Sequence, residues 1–337
     1  MLVFAGALIL ALSGTPLARR LAPRLGMVDQ PNARKVHQRP MPRMGGAAIV
    51  LASLAAILIF QDRFEFQQLV GILLGGAFVS LLGTWDDRWG MRPIVKLVGQ
   101  FFAAGILVST GVLVLLFSEP WLNILVTMLW VVGITNSFNL LDNMDGLSSG
   151  VALIAATFFT LTASLSDQSY VAALSAAVLG ASLGVLIYNF NPASIFMGDS
   201  GSLFLGFVLA AIGIKLRFPT NVTFVTWMVP VLVLGVPLFD TTLVILSRLR
   251  RGLNPLTTPG KDHTSHRLVS AGFTTREAVM IHYLAGGVLG VLAIFITQAG
   301  ILEGYIVGAV AAVLGLVALI RLEIQFRRSV STPHERT

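Results

Sequence analysis

The sequence predicts an all-α polytopic membrane protein of about eleven transmembrane helices, with the N-terminus outside and the C-terminus cytoplasmic. Three observations carry this expectation. Hydrophobic residues make up 55% of the 337 residues and charged residues only 12%, with a mean hydropathy of +0.83, whereas a soluble domain carries about 25% charged residues. The apolar residues gather into runs close to the ~20 residues a helix needs to cross the hydrocarbon core. Twenty of the 23 Lys and Arg fall in segments that eleven crossings place on one side of the membrane, as cytoplasmic loops require.

The runs fall at about 2–18, 44–61, 68–84, 94–117, 120–135, 147–165, 170–188, 201–217, 222–247, 277–298 and 300–320. The first begins at Met1 without a basic leader, and Arg19, Arg20 and Arg24 follow it; a cleaved signal has the opposite order, so this reads as a retained span. The next inner segments bring Arg34, Lys35, Arg39 and Arg43, then Arg88, Arg92 and Lys96. Arg248, Arg250, Arg251, Lys261, Arg267 and Arg276 follow, and Arg321, Arg327, Arg328 and Arg336 close the chain. Arg63, Lys215 and Arg217 alone fall outside. The net charge of +7 therefore reflects basic inner loops and not a nucleic-acid partner. The absence of cysteine excludes disulfides, thiolate zinc sites and a cysteine nucleophile. No internal repeat is visible, which weighs against an inverted-repeat transporter.

The whole chain reads as one membrane domain whose cytoplasmic loops, at about 19–43, 84–93, 136–148, 189–202 and 248–276, hold nearly all the chemistry-bearing residues. Asp199, in N-P-A-S-I-F-M-G-D-S-G-S, stands where a helix begins. Free N–H groups and the positive dipole end there suit a phosphate, or a carboxylate that holds a cation; the plainer reading is a helix cap. Asp86 and Asp87, in W-D-D-R-W, repel one another unless a cation or a basic partner such as Arg88 or Lys96 relieves them. Asn136, Asn139, Asp142 and Asp145 recur every third residue. A helix continuing past 135 brings them near one face as oxygen ligands for a hard cation, a ribose or a uracil. His263 and His266 lie beside Asp262 and Arg267. Zinc would want more ligands and no arginine; phosphate recognition by Arg267, with a histidine donating to the leaving phosphate, fits better. Asp240 lies about two turns inside its span and must face the bundle interior. Arg34, Lys35 and His37 set topology or meet phosphates, and His282 and His334 have no evident chemistry.

Taken in order, R-K-V-H-Q-R-P-M-P-R-M-G-G, D-D-R, N-S-F-N-L-L-D-N-M-D-G-L, N-P-A-S-I-F-M-G-D-S-G-S and H-T-S-H-R resemble the polyprenyl-phosphate N-acetylhexosamine-1-phosphate transferases. The undecaprenyl-phosphate N-acetylglucosamine-1-phosphate branch is matched better than the muramoyl-pentapeptide branch. The likeness covers about residues 27–268. It implies transfer of a sugar-1-phosphate from a UDP-N-acetylhexosamine to a polyprenyl phosphate in the plasma membrane, with release of UMP, in cell-envelope glycan synthesis. It also implies magnesium, with manganese as its substitute, and leaves room for a homodimer. Asp199 matches the family's magnesium ligand and Asn139 a residue that joins the metal in some members. Asp86 and Asp87 match the catalytic aspartate pair, Lys96 a lysine on the pyrophosphate, and Phe196 an aromatic that stacks on uracil. Asn189, Asp142 and Asp145 fall at nucleotide-side positions. The chain departs from the family at Asp142-Asn143-Met144-Asp145-Gly146, where D-G-x-D-G is common, and at His263-Thr264-Ser265-His266, which lacks the middle histidine of H-x-H-H. Two other readings are a magnesium-dependent intramembrane prenyltransferase, which would lack the F-M-G-D and H-x-x-H-R loops, and an ion-coupled transporter, which would need more mid-span charges than Asp240.

Overall fold

The computed structural model describes residues 1–31, 40–59, 66–218, 222–258 and 260–331. Arg34, Lys35, His37, Arg39, Arg63 and His334 lie outside them. The elements in order are α1 (Leu2–Leu21), β1 (Val28–Asp29), β2 (Met41–Pro42), α2 (Gly45–Ile59), α3 (Phe66–Trp89), α4 (Pro93–Ser109), α5 (Pro120–Leu141), α6 (Leu147–Leu165) and α7 (Ser169–Asn189). Then come α8 (Gly198–Lys215), α9 (Thr223–Thr226), α10 (Met228–Val233), α11 (Gly235–Arg250), α12 (Thr264–Ser270), α13 (Thr275–Gln298) and α14 (Ile301–Ser331). Among the described residues, α1, α3, α5, α6, α7, α8, α13 and α14 are each long and apolar enough to cross a membrane.

The other three apolar runs do not become full-length helices. α2 has 15 residues and α4 has 17. The run expected at 94–117 leaves the helix after Ser109, and side chains of α5 satisfy its amides. The Val114 N–H donates to Thr127 Oγ1 at 2.9 Å, and those of Leu116 and Phe117 to Asn123 Oδ1 at 3.1 and 3.0 Å. The run expected at 222–247 is broken, with its two halves bent by 79° at Leu234. Pro237 has no N–H for the carbonyl of Val233, and its ring crowds that carbonyl, so the helix cannot run straight through. The all-α expectation also missed a two-stranded hairpin, in which Val28 pairs with Pro42 and Asp29 with Met41.

α8 is the central shaft. It is apolar on every face, as a helix enclosed on all sides must be, and α2, α3, α5, α6, α7 and α10 pack around it. Glycines let two neighbours reach its first turn. A Cβ on Gly83 of α3 would lie 2.5 Å from the Asp199 carbonyl, and one on Gly46 of α2 would lie 2.2 Å from the Gly201 nitrogen; such close approach is how small residues tighten helix contacts in lipid. The loop ahead of α8 is laced to the hairpin. Phe196 N–H donates to Pro42 O at 2.8 Å, Gly45 N–H to Phe196 O at 3.0 Å and Gly46 N–H to Met197 O at 2.9 Å. The start of α8 is thereby fixed against β2 and the start of α2.

Candidate active site

Asp199 does not cap α8. Met197 is the capping residue and makes no side-chain cap bond; the cap comes from α3. Asp87, with a side chain only 1% exposed, accepts from the backbone N–H groups of Asp199 at 3.1 Å and Ser200 at 3.2 Å. Two of the N–H groups expected to await a phosphate are therefore already bonded to a carboxylate. Gly198 makes this possible, since its φ is +75° and a Cβ would sit 2.6 Å from Asp87 Oδ2. Arg43, counted among the inner basic charges and part of the R-K-V-H-Q-R-P-M-P-R-M-G-G motif but given no role of its own, lies 3.9 Å from Asp87 and 3.4 Å from Asp29. These carboxylates outweigh the desolvation of its guanidinium and raise its pKa above the ordinary value. Its neighbours Gly45 and Gly46, clamped against the α8 loop, were the available signal.

Lys96 gathers the rest. Its ammonium donates to Asp199 Oδ2 at 2.5 Å, Asp86 Oδ2 at 2.9 Å and Asn139 Oδ1 at 2.9 Å. The Asn139 amide donates to Asp199 Oδ1 and Ser202 Oγ, both at 3.0 Å. Four helices thus meet at one ammonium: α3, α4, α5 and α8. α5 continues to Leu141, so Asn136 and Asn139 are helical, while Asp142 ends the helix and Asp145 lies in the turn beyond it. Asp142 makes no side-chain hydrogen bond among the described residues. Loss of hydration and then repulsion from Asp199 push its carboxyl up to about 8.

The remaining nucleotide-side candidates are drawn into structure. Asp145 accepts from Asn191 Nδ2 at 3.1 Å and from the Ala193 N–H at 3.0 Å. Asn189 is buried; it accepts from Ser149 at 2.7 Å and donates to Ile195 O at 3.0 Å. Both hold the 190–197 loop. Asn136 is paired with Gln100 of α4, one turn below Asn139. Phe196 is half-buried in the loop just ahead of α8, three residues before Asp199.

The phosphate role expected of Arg267 is not supported by its position. Its guanidinium donates to Asp262 O at 2.8 Å, to Leu322 O at 3.1 Å and to Glu323 Oε2 at 2.7 Å, and stacks over Phe326 at 4.3 Å. It ties α12 to α14. Arg250 also pairs with Glu323, and Arg248 grips Asp262 in a fork at 3.0 and 2.9 Å. Replacing Glu323 by Ala leaves the buried Arg267 uncompensated and is expected to cost about 3 kcal/mol. The check is a lowered midpoint of thermal unfolding in detergent with substrate KM unchanged.

The two histidines differ. His263 Nδ1 is 2.8 Å from Asp240 Oδ2, and its ring meets that of His266 edge-on at 6.2 Å. Burial, then repulsion from His263 and Lys261, pushes His266 down to about 4. The folded state binds that proton less tightly than the unfolded chain, whose ordinary value is 6.5. Stability present above pH ~6.5 is therefore lost as pH falls toward ~4. Asp262, held down to about 2 by Arg248 despite its burial, adds a loss only below its ordinary value of 3.8. His266→Gln is expected to remove the His266 share of the loss between pH ~6.5 and ~4, so that the thermal midpoint falls less steeply there than in wild type, and to leave the more acid limb in place.

Chemically, the cluster suits a hard cation. Three oxygens, from Asp86, Asp199 and Asn139, converge on the Lys96 ammonium. Asp87, Asp142 and Arg43 flank it. Among the described residues no three carboxylates or imidazoles are grouped to hold a metal ion; what the cluster could offer one is one or two carboxylates, with the remaining positions left to water or substrate phosphate.

Residues 69–217 match the glycosyl transferase family 4. Over 307 residues the chain is 37% identical to a probable undecaprenyl-phosphate N-acetylglucosaminyl 1-phosphate transferase of Bacillus subtilis, covering 88% of this chain and 85% of that protein. It is 34% identical over 319 residues to the decaprenyl-phosphate N-acetylglucosaminephosphotransferase of Mycolicibacterium smegmatis, covering 84% and 78%. It is 28% identical over 304 residues to the undecaprenyl-phosphate alpha-N-acetylglucosaminyl 1-phosphate transferase of Escherichia coli K12, covering 82% and 79%.

Proposed function

This chain belongs to the polyprenyl-phosphate N-acetylglucosamine-1-phosphate transferases of glycosyl transferase family 4, and from that premise we infer that it transfers N-acetylglucosamine-1-phosphate from UDP-N-acetylglucosamine to undecaprenyl phosphate and releases UMP. The observation that carries the reading is the meeting of Asp86, Asn139 and Asp199 at the Lys96 ammonium, with Arg43 and Asp142 beside it.

Both substrates are polyanions, so the site must answer charge before chemistry can occur. Magnesium or manganese, held by Asp199 and Asn139 with Asp86 or Asp142 alongside, would neutralise the pyrophosphate and ease departure of UMP. Lys96 and Arg43 supply fixed positive charge for the phosphates. The lipid phosphate is largely dianionic near neutral pH, its second pKa being about 6, and needs positioning more than deprotonation. One of its oxygens attacks the β-phosphorus, the bond from that phosphorus to the bridging oxygen breaks, and UMP leaves with the bridging oxygen. Asp87 is committed to the α8 amides and Asp86 to Lys96. That favours direct displacement over an aspartyl-phosphate intermediate. Phe196 would stack on the uracil.

The excess of Lys and Arg at this end of the bundle supports a cytoplasmic site in the plasma membrane, eleven crossing segments, two short and one bent, and an N-terminus outside. Purified protein given undecaprenyl phosphate, magnesium and a panel of UDP-N-acetylhexosamines should release UMP, fastest with UDP-N-acetylglucosamine. Release with none of them would overturn the assignment.

A further inference from the structure

We propose that Asp240 is a positioning residue for this transfer: its bond to Nδ1 of His263 fixes the tautomer and orientation of the imidazole, leaving Nε2 as the atom offered to a substrate phosphate. The inference rests on the phosphate-transfer reading above.

A carboxylate within an apolar span is costly and persists when it is paired and doing something specific. Asp240, 1% exposed on α11, uses both oxygens on one neighbour element. Oδ2 lies 2.8 Å from His263 Nδ1, and Oδ1 accepts the backbone N–H of Thr264 at 2.6 Å. The second bond satisfies a first-turn amide of α12 that no residue of that helix caps. Turning the imidazole would break the first bond, and tilting α12 would break the second. A carboxylate on one ring nitrogen holds the proton there and settles what the other nitrogen presents.

The pair is also tethered to the catalytic cluster. Ser265, two residues after His263, donates to Asn143 Oδ1 at 2.6 Å, and Asn143 adjoins Asp142. α12 is therefore strapped to α11 by Asp240 and to the turn at the end of α5 by Ser265. Arg248 and Asp262, immediately before His263, lock the approach to the same helix.

A cap alone and a positioning role make different predictions. Asp240→Asn keeps the size and the bond from Thr264, but its amide donates to Nδ1 and drives the histidine proton to Nε2. With full-length protein in detergent, undecaprenyl phosphate, UDP-N-acetylglucosamine and magnesium, kcat should fall about 100-fold, with KM within about threefold. In a His263→Gln background the same substitution should cause no further fall, because Asp240 acts through the ring that is gone. Near-normal kcat in Asp240→Asn, or an equal fall in both backgrounds, would overturn the proposal. Should wild type turn over no UDP-sugar, the transfer reading fails and the dyad is judged by nitrogen-15 NMR of labelled histidines, which also serves if Asp240→Asn does not fold. A downfield proton on His263 Nδ1 supports the pairing, and a proton on Nε2 alone refutes it.

Discussion

Asp199→Asn is expected to reduce UMP release by about a thousandfold or more while leaving the protein folded. Asp199 accepts from Asn139 through one oxygen and from Lys96 through the other, so an amide of the same shape loses the ion pair and one anionic ligand for a hard cation. Stability should survive because α8 does not depend on this side chain. Its first amides are held by Asp87, and its body is enclosed on all sides. The measurements are UMP release and the thermal midpoint of the purified variant. Turnover close to wild type would remove Asp199 from the metal and phosphate chemistry, whereas a collapsed midpoint would make it a structural residue.

Lys96→Met comes next, with an expected fall in kcat/KM of about 10²–10³. Without the ammonium, the oxygens of Asp86, Asp199 and Asn139 confront one another, and a fixed positive charge is lost where the pyrophosphate must bind. Lys96→Arg should recover little. A planar guanidinium presents a fork of donors and cannot place one nitrogen at a point shared by three oxygens. Steady-state kinetics of the two variants give the check, and near-complete rescue by Arg would mean that charge alone, and not the convergence, is what Lys96 supplies.

Hydropathy made the helical membrane architecture legible, because apolar run length reports directly on burial in lipid. It could not report the break at Leu234: Pro237 sat in view within a run that reads as continuous, since hydrophobicity does not register a missing amide. The same limit separates the site residues. Asn139 stood out by its register with Asp142, and the ordered motifs singled out Asp86, Lys96 and Asp199; the structure brings these four side chains together. Spacing relates residues three or four apart on one helix. The bonds that give Asp87, Asp240 and Arg267 their roles join residues 112, 23 and 56 positions apart. Arg267 beside two histidines resembled a phosphate clamp because its counter-charge, Glu323, lies in another helix. Asp87 looked interchangeable with Asp86 until the N-terminus of α8 was seen to rest on it. Asn136, Asn189 and Asp145 carry residue types that serve a nucleotide and a loop equally well, and only their partners tell the two apart.

The central claim is that these converging side chains move a sugar together with its phosphate, and UDP-N-acetylglucosamine labelled with phosphorus-32 at the β-phosphate tests it most directly. Incubated with the purified protein, undecaprenyl phosphate and magnesium, the label should pass into the organic phase as a lipid diphosphate sugar and leave unlabelled UMP in water. Label remaining in water as UDP, with sugar alone on the lipid, would contradict the account.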